Sequence, residues 1–110
     1  MKISIGRIIL YRLTEKDIEQ ITRRRTTGAS IAERIKDEKW PVGAQAHIGS
    51  PLSVGQVLPM IACVIWPHEY GTDVPGVNGQ VMLDGNDTLW VTSIKEGEEN
   101  GQWSWPKIEA

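Results

Sequence analysis

The chain has 110 residues with a formal net charge of −2, 40% hydrophobic and 24% charged residues. That is one domain's worth of sequence with an ordinary globular composition, which excludes a disordered, collagen-like or low-complexity chain. The longest apolar run, Met60 to Trp66, falls far short of the roughly 20 residues a spanning helix requires, so no transmembrane segment is expected.

From the N-terminus, Ile3 to Leu13 reads as a strand, with Gly6 as a bend or bulge. The apolar residues there are interrupted by Ser4, Gly6 and Arg7, so they do not form a signal peptide, and a cytoplasmic location, in this case the host cytoplasm, is expected. Thr14 follows as an N-cap, with Asp17 completing a capping-box-like start. Ile18, Ile21, Arg25, Gly28, Ile31, Ala32 and Ile35 keep one stripe at three- and four-residue steps, which predicts a long helix to about Asp37. A two-helix alternative starts again at Ser30, because Thr26, Thr27 and Gly28 are poor helix formers. Trp40-Pro41 ends the helical region.

Beyond Val42, Gly and Pro punctuate the chain into short strands at Ala44–Ile48, Val57–Trp66, Val77–Leu83, Thr88–Ile94 and Gln102–Trp105. Asp84-Gly85-Asn86-Asp87 is a hairpin turn between two of them, since Gly and Asn accept positive φ. The expected fold is α+β: an N-terminal strand and a long helix packed on a small antiparallel sheet or a partly closed barrel. It forms a single domain, 1–110, divided into a basic strand-plus-helix part (1–40) and an acidic β module (41–110). Residues 1–40 hold ten Lys and Arg against six Asp and Glu, whereas residues 41–110 hold two against eight. Such halves attract within one chain or between chains, and a homo-oligomer is expected.

Catalytic groups are scarce: two His, one Cys, no metalloprotease or Cys-x-x-Cys motif, no nucleophile elbow and no phosphate-loop lysine. No enzyme, cofactor or metal site is therefore expected. Asp84, Asn86, Asp87 and Thr88 supply oxygens but lack the remaining ligands of a calcium loop. Cys63, inside an apolar run, reads as a buried thiol. The residues open to a ligand role are Arg23, Arg24 and Arg25, the densest charge in the chain, with His47, Asn86, Asp87 and Trp90, and Trp103 with Trp105. Arg forks suit phosphate, and aromatic faces suit a base. The alternatives are a solvated or salt-bridged arginine face and a tryptophan pair that caps the core. A small nucleotide is the ligand this set fits, while duplex nucleic acid is not expected of an acidic chain without a DNA-reading motif.

On Gly43-Ala44-Gln45-Ala46-His47-Ile48-Gly49, Pro59 to Trp66, Gly79 to Ser93 with its Asp84-Gly85-Asn86-Asp87-Thr88-Leu89-Trp90 centre, and Gly101-Gln102-Trp103-Ser104-Trp105-Pro106, the chain resembles a group of small proteins encoded in tailed-phage and prophage genomes. The resemblance covers most of residues 7–106. It implies a phage context and carries over no catalytic or binding residues. In that context the expected role is a non-catalytic binding protein, most sharply an anti-defence sponge that sequesters a nucleotide-type immune signal, with a virion or assembly component and an inhibitor of a host protein as the alternatives.

Overall fold

In the computed structural model, residues 2–25, 48–66 and 75–107 are described. The fold is mixed α+β and mostly sheet. Five strands, β1 (Ile8–Arg12), β2 (Val57–Trp66), β3 (Gly76–Met82), β4 (Thr88–Ile94) and β5 (Trp103–Ser104), form one antiparallel sheet in the order β4-β3-β2-β1-β5, with a single described helix, α1 (Glu15–Arg24). The far end of the ladder turns back on itself. Just after β4, the Lys95 carbonyl accepts from the Trp103 N–H at 3.0 Å, and the Gly97 N–H donates to the Trp103 carbonyl at 2.8 Å. Both edges of short β5 are therefore occupied.

Alternation sets the core. Ile9, Tyr11 and Leu13, Leu58, Met60 and Ala62, Val77 and Val81, and Leu89 and Val91 all point to one face, where Ile21 of α1 and Trp103 join them. The helix starts as its sequence predicts: Thr14 accepts from the Asp17 N–H at 3.1 Å, and the Asp17 carboxylate accepts from the Thr14 N–H at 2.9 Å. The same Asp17 oxygen accepts from the Tyr11 hydroxyl at 2.6 Å, tying the first helical turn to the buried face of β1. Burial, reinforced by that hydrogen bond and the neighbouring carboxylate, pushes the Tyr11 phenol well above its usual range.

Several expectations change. The first strand starts at Ile8 rather than Ile3, after a turn at Gly6, whose φ of +89° favours glycine. The long helix is not found. α1 ends at Arg24, and Arg25, its C-cap, is extended at φ −79° and ψ 145°. The poor helix formers Thr26, Thr27 and Gly28 follow, and Arg25 is held by tertiary contacts that a continuing helix would have to break. Ser30, the rest of 26–47 and most of the Ala44–Ile48 strand lie outside the described residues. Cys63 is exposed rather than buried. It follows Val57, Pro59 and Ile61 in the outward phase of β2, and its thiol turns back to the Ile61 carbonyl at 3.4 Å. The Asp84–Asp87 connection joins β3 to β4 as predicted, but neither Gly85 nor Asn86 has a positive φ.

Candidate functional site

Arg25 and Asp87 both sit on the buried phase of their elements, Arg25 in step with Ile18 and Ile21, Asp87 in step with Leu89 and Val91. There they meet. Asp87, whose side chain is 2% exposed, takes Arg25 through Nη2–Oδ1 at 3.0 Å and Nε–Oδ2 at 3.4 Å, an approximate two-pronged pair. Arg25 Nη1 also donates to the Ser50 carbonyl at 2.8 Å. Arg24 adds an ion pair at 3.4 Å from its buried Nε to Asp87 Oδ2, without hydrogen-bond alignment, and donates from Nη2 to the Thr88 carbonyl.

The backbone around this clamp is drawn tight. Ile48 and Asn86 exchange two bonds, Ile48 N–H to Asn86 Oδ1 at 2.9 Å and Asn86 N–H to the Ile48 carbonyl at 3.0 Å, while the Ser50 N–H reaches the Asp84 carbonyl at 2.8 Å. Gly49 and Gly85 bridge between these bonds. A Cβ on Gly49 would stand 2.7 Å from Arg25 Cζ, and one on Gly85 would stand 2.8 Å from the Gly49 Cα, so glycine is required for the guanidinium to pass.

The remaining predicted residues separate. Arg23 is exposed, its Nε near the Glu19 carbonyl at 3.4 Å. With Lys16, Glu19, Gln20 and Arg24 it lines a shallow, open depression of about 720 Å³ on the solvent face of α1. Trp103 is 2% exposed and belongs to the core; Trp105, half-buried, stands edge-on to it at 5.4 Å between ring centroids and 85°. This is the core-capping arrangement, and the Arg7 guanidinium lies 5.5 Å from the Trp105 ring. The Trp103 indole N–H is buried with no partner among the described residues. His47 lies outside the described residues. Among the described residues, no three His, Cys, Asp or Glu side chains gather to hold a metal ion; Asp87, one of the calcium-loop oxygens considered above, is turned inward to the arginines.

Two tryptophans are presented to solvent among the described residues, Trp66 at the end of β2, 48% exposed, and Trp90 on β4, 62% exposed. Trp90 ends a row across the outer face of the sheet: Ile8 opposite Ile61, Ile61 opposite Gln80, Gln80 opposite Trp90. Ile8 is 59% exposed and Ile61 38%, and Met82 on the same face is also exposed. Thr88 donates to Gln80 Oε1 at 3.2 Å beside the indole. Sequence reasoning missed Ile8, Ile61, Gln80 and Ser50 as surface or site residues. Their signal was phase: in a run apolar on both faces, only the neighbouring strands show which residues point outward.

No protein-family model, curated protein or solved structure matches the chain. Among the described residues, no helix is long and apolar enough to cross a membrane.

Proposed function

We propose that the protein is a non-catalytic binding protein that acts through contact with other polypeptide chains, in the phage setting that its sequence resemblance implies, as an assembly component or an inhibitor of a host protein. The observation that carries this reading is the outer face of the sheet, where Ile8, Ile61, Gln80 and Trp90 form an uncharged row across four strands. Exposed apolar surface of this kind, centred on tryptophan, is the usual material of a protein interface. The clamp supports the same reading from the other side, because Arg25 and much of Arg24 are spent on Asp87 and are not offered to a ligand. A photo-activatable amino acid at position 90, illuminated in infected cells, should cross-link to a polypeptide; free protein alone after illumination would refute the reading.

A second reading, sequestration of a small nucleotide, is favoured by one feature: the depression on α1 with Lys16, Arg23 and Arg24 at its rim. Basic side chains around a concavity suit a phosphate. Native mass spectrometry of protein purified from cells with an active nucleotide-signalling defence tests it. An unaltered adduct of nucleotide mass, lost in Arg23→Ala, would support it, and bare protein would count against it.

A further inference from the structure

We infer that the outer face of the sheet is a docking site for an uncharged, proline-rich segment of another polypeptide, held over Asn78 and Gln80 of β3 and stacked on Trp90. The inference rests on the protein-contact reading and names the chemistry of its partner.

Two irregularities of the sheet meet at Asn78. The β2–β3 register steps from Ala62 opposite Gly79 to Val64 opposite Asn78, with Cys63 as the extra residue. The β3–β4 register steps from Gly79 opposite Val91 to Val77 opposite Ile94, so Asn78 faces both Thr92 and Ser93. Bulges re-aim side chains and recur next to functional sites. The second one holds Ser93 at φ +55°, a conformation uncommon for a residue other than glycine, and Asn78 Oδ1 secures it by accepting from the Ser93 N–H at 2.8 Å. Two residues along β3, Gln80 Oε1 accepts from the Thr88 hydroxyl at 3.2 Å.

Those two bonds decide which half of each amide is left for a partner. Both oxygens are taken, whereas Asn78 Nδ2 and Gln80 Nε2 donate to no group among the described residues. The two NH2 groups belong to alternate residues on one face of one strand, about 7 Å apart at the backbone. Trp90 lies opposite Gln80 on β4; exposed Val64 lies opposite Asn78 on β2, and exposed Trp66 is two residues beyond it. An indole donates and does not accept. The face therefore presents donors and apolar surface, and β2, β3 and β4 carry no charged residue.

The complement of such a face is rich in acceptors, poor in donors and uncharged. A charged segment would lose hydration there with no counter-charge to receive it. Two separated donors call for acceptors that recur along the partner, as carbonyls do along a peptide. An ordinary extended peptide brings an N–H with every carbonyl, but proline brings the carbonyl alone. A polyproline II segment presents a carbonyl about every 3.1 Å, has no internal hydrogen bonds, is ordered before it binds, and packs its rings on aromatic side chains.

Decaproline added to the isotopically labelled full chain should shift the side-chain amide signals of Asn78 and Gln80 and the indole signal of Trp90 saturably, while a glycine–serine peptide of equal length leaves them in place. Asn78→Asp and Gln80→Glu, each of which keeps the accepting oxygen and removes the donors, should weaken decaproline binding by about tenfold. Trp90→Ala should weaken it by about thirtyfold, and all three variants should keep the wild-type circular dichroism spectrum. Amide signals that ignore decaproline, or binding indifferent to both carboxylate variants, would overturn the inference. The same signals moving with protein concentration alone would put a second copy on this face, and moving with cellohexaose but not decaproline would put a glycan there; either result also overturns it. A chain that ignores decaproline yet cross-links through position 90 to another polypeptide in cells would sink the proline-rich segment and leave the protein-contact reading standing.

Discussion

Replacing Asp87 with alanine leaves Arg25 without a counter-charge in a position where its side chain is only 12% exposed. Two hydrogen bonds to Arg25 are lost, and charge-assisted bonds contribute about 1.5–3 kcal/mol each when buried. The Arg24 contact adds less than about 1 kcal/mol, because that side chain is 30% exposed and its Nε is not aligned. The segments Ile48–Ser50 and Asp84–Asp87 remain joined by their own backbone bonds, so part of the clamp relaxes toward water. The expected loss is about 3–5 kcal/mol, the usual result of removing one partner of a buried pair. For a domain of this size that lowers the melting temperature by roughly 12–20 °C. Urea denaturation of Asp87→Ala, Arg25→Ala and the double variant gives both the loss and the coupling. The two single losses should fall well short of adding, by about 2 kcal/mol. A loss below about 1 kcal/mol for Asp87→Ala, or additive losses, would refute the claim that this pair fixes the end of α1 to the hairpin.

The tryptophans should divide sharply: Trp103→Ala lowers stability by about 3–5 kcal/mol in chemical denaturation, whereas Trp90→Ala, measured on dilute protein, changes it by less than about 1 kcal/mol, and comparable losses would mean that one ring is misplaced. Tyr11 is held protonated in the native state while the unfolded phenol ionises near pH 10, so its contribution is complete below pH 10 and declines by about 1.4 kcal/mol per pH unit as pH rises toward the higher native value. Tyr11→Phe should remove this alkaline decline, and parallel pH-stability curves for the two proteins would contradict the assignment. Cys63, the one thiol of the chain, should react with a maleimide in folded protein about as fast as in urea; strong native protection, measured by mass, would put it back in the interior.

What could be read from sequence follows from how local each signal is. Thr14 and Asp17 are three residues apart and their capping box forms as read, because both partners lie in one turn. The hairpin between Leu83 and Thr88 was legible for the same reason, although its glycine serves a close approach to Gly49 rather than a positive φ. The helix end was not legible. Arg25 continues the apolar stripe of Ile18 and Ile21, and on periodicity alone it extends the helix; in the fold it leaves the helix to meet a carboxylate 62 residues away. Two charged residues on buried phases, Arg25 on the helical stripe and Asp87 in step with Leu89 and Val91, were the signal for a buried pair. Cys63 was misjudged, and Ile61 went unnoticed, because Val57–Trp66 is apolar on both faces, which erases the alternation that would have shown its phase.

The charge asymmetry of the sequence therefore has two destinations. Inside the chain, Arg24 and Arg25 of the basic half converge on Asp87 of the acidic half, which ties the end of α1 to the hairpin and commits the Arg25 guanidinium to structure. Arg23, one residue earlier, is left exposed beside Lys16, Glu19 and Gln20 on the solvent face of α1, so that of three consecutive arginines two are drawn to one buried carboxylate and one faces water.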